Sequence, residues 1–160
     1  MDQPFGLLVA FLALAAVLFG LFSSVAALFP RNVWLAQRAA EESPGRSLLL
    51  GAVNTAFVLA VSLPALASQA PVFTLLGAIV LAAGASGLAI GLSGVATMVG
   101  RRLSPRASGI AGILTGTVVL TLASATPFLG WFVFLPAIIC LGMGAFVLGW
   151  FRRRVWSEQL

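Results

Sequence analysis

The uncharged run from Val72 to Val99 constrains this chain more than any other stretch. It reads VFTLLGAIVLAAGASGLAIGLSGVATMV and stops at GRRLSPR, which places Arg101, Arg102 and Arg106 within six positions. A charge-free apolar stretch of about 18 residues or more reads as a transmembrane helix, because a hydrocarbon core about 30 Å thick takes roughly 20 residues to cross. Arginines immediately after such a run mark the cytoplasmic side.

The same grammar recurs along the chain. Of the 160 residues, 61% are hydrophobic and 8% charged, against about 25% charged in soluble domains. That inventory excludes a water-soluble surface and predicts an all-α integral membrane bundle in one domain. Five spans are expected, over about 5–29, 47–66, 72–99, 107–126 and 131–151, with a cytoplasmic loop helix over 31–44. The first run is read as an uncleaved span, because no positive n-region precedes it and it outruns a signal-peptide core of roughly 7–15 residues. All nine basic residues are arginines: Arg31, Arg38 and Arg46, then Arg101, Arg102 and Arg106, then Arg152, Arg153 and Arg154. Five alternating spans put all three groups on one side, which predicts an outside N-terminus, a cytoplasmic C-terminus and residence in a bacterial inner membrane.

The loop helix has a polar face carrying Arg31, Arg38 and Glu42, bordered by Trp34 and Leu35, with Val33, Ala36 and Ala40 facing away. Two readings stand: an ordinary cytoplasmic loop helix, or an interfacial docking helix. The third span carries Gly84, Gly87, Gly91 and Gly94, and the fourth carries Gly112 and Gly116. Small residues at this spacing let helix backbones approach closely in lipid, either within one chain or between copies. Gly142, Gly144 and Gly149 give the fifth span a similar strip. Asn54 is the most polar side chain inside a span, suited to an interhelical hydrogen bond or to lining a path.

Chemistry has little to work with. No Asp, Glu, Lys, Arg or His falls inside an expected span, although intramembrane ionisable groups are where function is first sought. Glu41 and Glu42 are adjacent and so diverge on a helix, Arg38 and Glu42 suit a surface ion pair, and Cys140 suits a small packed residue. No catalytic, cofactor or metal site is expected, and the positive charge is used by topology rather than by nucleic acid. The arginines also suit anionic lipid headgroups or an acidic partner.

Five segments occur in order: LFPR (Leu28–Arg31), PGRSLLLG (Pro44–Gly51), VGRRL (Val99–Leu103), TPFLGW (Thr126–Trp131) and LGMGAFVLG (Leu141–Gly149). Over about residues 20–150 this pattern resembles the polytopic membrane domain found with bactofilin-type polymer-forming proteins of bacteria. The resemblance implies a helical membrane domain without an established activity, so no catalytic residue is carried over. The β-helical segment that precedes that domain in those proteins is not expected ahead of the first span here.

Two functions follow as expectations. One is a structural or interaction component, a membrane anchor or accessory subunit with a membrane or cytoskeletal protein partner and no catalysis. The other is a small channel or transporter, homo-oligomeric, using Asn54 and the Ser and Thr content of its spans.

Overall fold

The computed structural model describes residues 3–68, 70–104, 110–126 and 128–152. Arg106, Arg153 and Arg154 lie outside the described residues. Every element among them is helical: α1 Gln3–Leu28, α2 Pro30–Glu42, α3 Pro44–Ala67, α4 Pro71–Leu103, α5 Ile110–Ala125, and α6 Leu135–Phe151, entered through a π-helical turn at Gly130–Phe134.

Proline sets the boundaries. The residue before a proline is pushed out of the α region by the pyrrolidine ring, and proline suits the first helical turn because it lacks an N–H that would go unpaired there. Accordingly Phe29, Ser43 and Ala70 are non-helical (φ −128°, −145° and −87°), and Pro30, Pro44 and Pro71 open α2, α3 and α4. Ser104, which precedes Pro105 in sequence, ends α4 in the same manner at φ −135°. Two prolines fall inside helical backbone instead. Pro64 sits in the last turn of α3, so the turn expected there begins only at Ser68. Pro136 opens α6, but helical backbone already begins ahead of it, at Leu129. The i→i+5 pattern of Gly130–Phe134, closed by Leu135 N–H donating to the Gly130 carbonyl, lies directly before the proline ring. Ahead of it, Phe128 adopts φ 66°, a left-handed conformation that costs an L-residue about 1–2 kcal/mol. Gly130 N–H closes this reversal on the Thr126 carbonyl at 2.9 Å.

Three helices are long and apolar enough to cross a membrane: Pro44–Ala67, Pro71–Leu103 and the segment Gly130–Phe151. A fourth candidate is the pair Leu12–Leu28 and Pro30–Glu42, bent by 109°. Helix α5, with 16 residues, is apolar and shorter. At 1.5 Å per residue the 33 residues of α4 run about 50 Å, well beyond a hydrocarbon core of about 30 Å.

The helices meet backbone to backbone. α3 and α6 run antiparallel, with Gly51 against the Cys140 carbonyl and Gly144 against the Ser47 carbonyl. α4 and α5 pair likewise, Gly100 against Gly112 and Gly116 against Ala96. α4 crosses α6 where Gly91 meets Gly142, and approaches α3 where Gly77 faces Ala65 and Gly84 faces Val58. Large apolar side chains point outward: Val17, Leu49, Val53, Phe57, Leu75 and Phe132 are all more than half exposed. An apolar exterior around a core of small residues is what helices assembled in lipid require, since lipid gives Leu no reason to turn inward.

Candidate functional site

The most elaborately built region is the seat of α2. This helix turns sharply off α1 and lies across the ends of α4 and α6. Its small residues fit against glycine backbone on both sides: Gly94 of α4 abuts Ala36 and the Gln37 amide, and Gly149 of α6 abuts the Leu35 carbonyl and the Ala36 amide. Ala36 and Ala39 are fully buried, and Leu35, Val95, Met98 and Ala145 complete this apolar cluster. Val33, Ala36 and Ala40, which face away from the polar side of α2, are buried, and so is Leu35 at its border. Gln37 is buried as well; its amide donates to Glu41 Oε1 at 2.9 Å along the helix.

The seat is fastened by polar contacts at its margins. Ser43 N–H and the buried Ser47 hydroxyl both donate to the Ala39 carbonyl, at 3.2 Å each. This satisfies one of the orphan acceptors at the α2 C-terminus and ties α2 to α3. Glu42 Oε1 lies 3.7 Å from Arg38 Nε, and its Oε2 lies 3.5 Å from Nη1 of Arg152, just past the end of α6. Arg38 in turn stacks over the Trp34 ring at 4.9 Å, a cation–π contact of the kind found at half-exposed sites. The Arg38–Glu42 pair was legible from spacing. Arg152 was not, being far away in sequence.

The described arginines gather at this end of the bundle. Arg31 and Arg38 ride on α2, Arg46 opens α3, Arg101 and Arg102 close α4, and Arg152 follows α6. Arg31, Arg46, Arg101 and Arg102 are exposed there, in position for anionic ligands or lipid headgroups.

The glycine expectations meet specific partners. Gly84 faces Val58, Gly87 faces the Phe146 ring, Gly91 faces Gly142, Gly94 faces α2, and the Gly112–Gly116 row faces Ala96 and Gly100. All of these contacts are within the chain. Gly51 and Gly100 were not singled out in the sequence, although Ser47 precedes one and Ala96 the other by four positions, which is the same small-residue spacing. Asn54 is half-buried on α3.

Most span hydroxyls are also self-satisfied. Ser86, Ser93, Thr97, Thr115, Thr117, Thr121 and Ser124 each donate to the carbonyl four residues back, at 2.7–2.9 Å. Ser23, Thr55 and Ser62 carry buried hydroxyl oxygens without a partner among the described residues. No group of His, Cys, Asp and Glu that would hold a metal ion occurs among the described residues.

No protein-family model, curated protein or solved structure matches the chain, so the resemblance to the bactofilin-associated membrane domain rests on the quoted segments alone.

Proposed function

We propose that this chain is a non-catalytic structural or interaction component of a bacterial inner membrane, an anchor or accessory subunit. It crosses five times, with α1, α3, α4, α5 and the Gly130–Phe151 segment as the spans. The N-terminus is outside, and the arginine end, with the C-terminus, faces the cytoplasm. The resemblance to the bactofilin-associated membrane domain is in keeping with this assignment, and would make a membrane or cytoskeletal protein the partner.

One observation carries the proposal: α3, α4, α5 and α6 touch through glycine backbone at Gly51, Gly91, Gly100, Gly116 and Gly144. Helices in backbone contact leave no room for a hydrated path between them, and a rigid bundle of this kind suits holding a surface in place. The α2 seat supplies that surface on the cytoplasmic side, with Arg31, Arg46, Arg101 and Arg102 exposed around it. A channel built from the span hydroxyls is disfavoured, because seven of them give their protons to their own helices.

The deciding experiment is purification of the tagged chain in mild detergent, with native mass determination and identification of co-purifying proteins. A reproducible partner, lost when Arg31, Arg46, Arg101 and Arg102 are replaced by Gln, is the expected outcome. A clean homo-oligomer that conducts ions in liposomes would overturn it.

A further inference from the structure

Glycine clamps hold α3, α4 and α6 together at three places but not between them. α3 and α6 are drawn tight at Gly51 and Gly144, α4 and α6 at Gly91 and Gly142, and α3 and α4 at Gly77 and Ala65. Within this triangle the three helices splay, and a recess of about 260 Å³ opens on the outer surface. An apolar cavity of about 150 Å³ already holds benzene. Met143 forms the buried floor, Ile139 and Leu88 the half-buried walls, and Leu59, Leu81 and Ala85 the exposed rim. Thr55, whose hydroxyl has no partner among the described residues, also borders it.

The position of the recess fixes what can enter. Thr55 to Leu59 lies midway along α3, Leu81 to Leu88 lies midway along α4, and Ile139 to Met143 lies midway along the Gly130–Phe151 segment. All three helices are long and apolar enough to cross a membrane. On the membrane assignment above, on which this inference rests, the rim opens at mid-bilayer depth, where the molecules present are hydrocarbon chains. We infer that this recess is a binding groove for the acyl chain of a membrane lipid, distinct from the headgroup contacts of the arginine end. Gly84 sets its width by letting α3 and α4 come together beside it: a Cβ there would lie 2.9 Å from a Val58 methyl and wedge α3 from α4.

The test uses the full chain in phosphatidylglycerol vesicles doped with a phosphatidylcholine bearing a diazirine at the middle of one acyl chain. After photolysis, labelled residues are mapped by mass spectrometry. Label concentrated on 81–88 and 139–143, several-fold above that on Val118 and Leu14, which are at least as exposed as Leu81 and lie midway along α5 and α1, is expected. Ala85→Phe, which fills the rim from an exposed position, lowers that label several-fold, whereas Thr55→Val leaves the apolar groove labelled. Even labelling of every outward side chain overturns the groove while leaving the membrane assignment intact. So does a dimer whose interface shields 81–88 from label, since a second copy would then be the occupant. Label on no helix, together with release by alkaline carbonate wash, overturns the membrane assignment and the groove with it.

Discussion

Helix α2 holds two arginines and two glutamates in 13 residues, yet Ala36 and Ala39 are fully buried in it. The Gly130–Phe134 turn is apolar throughout, yet Trp131 is 70% and Phe132 78% exposed. In water the order would be reversed. The contrast teaches that burial in this molecule follows side-chain size rather than hydropathy. Where hydrocarbon surrounds the protein, apolar surface gains nothing by turning inward, and close packing becomes the term that decides which residues face one another. Alanine and glycine allow helices to touch, and Trp131 and Phe132 are turned out to the surroundings that suit them. Trp131 also has the amphipathic ring favoured at a membrane interface.

That contrast is open to direct attack, and the largest effect is expected from one substitution made at two glycines. Gly144→Leu forces a side chain into the Ser47 carbonyl and the Gly51 amide, neither of which can move without parting α3 from α6. A loss of about 3 kcal/mol or more follows from overpacking of this kind, read as loss of the monodisperse peak in detergent gel filtration. Gly20→Leu on α1, where a Cβ meets nothing within 4 Å, leaves that peak unchanged. Equal damage from both would show that hydropathy rather than fit governs.

A smaller effect is expected from Ala36→Leu, which makes α2 more apolar while crowding Gly94 and Gly149. Destabilisation of about 1–3 kcal/mol is expected, measured as a lowered thermal midpoint in detergent. A raised midpoint would mean that α2 is limited by its polarity. Ser47→Ala removes the hydroxyl bond to the Ala39 carbonyl and should cost about 1 kcal/mol, visible as faster hydrogen exchange in α2 than in α6. The smallest change belongs to Glu42→Gln. Its two ion pairs are half-exposed at 3.5 and 3.7 Å, so about 0–1 kcal/mol is at stake. Protease cleavage near Ser43 should rise slightly, and salt should abolish the difference from the unmodified chain.

Much of this architecture was legible in the sequence, and what was missed has physical causes. The apolar runs located α3, α4 and the Gly130–Phe151 segment, because span length is set by the thickness of hydrocarbon rather than by tertiary contacts. The breaks were legible wherever a proline opens the next helix, as at Pro30, Pro44 and Pro71. Gly84, Gly87, Gly91 and Gly94 were readable as packing residues, but spacing along one helix carries no information about the helix opposite. Phe146 facing Gly87 and Gln37 facing Gly94 therefore had to be seen. The burial of α2 was hidden because alanine contributes little to hydropathy, although it is the side chain best suited to lying against glycine.

The seat of α2 also has a consequence in time. Glu42 and Arg152 are 110 positions apart, and Gly149 reaches the ribosome's exit almost as late. At a synthesis rate of about 5–20 residues per second, α2 is complete roughly 5–20 s before the last wall of its seat exists. During that interval α2 can reach the α4 wall of its seat but not the α6 wall, and Glu42 lacks Arg152. Closing this end of the bundle therefore waits for α6, and a chain stalled before it would present a half-seated α2 to whatever surveys unfinished membrane proteins.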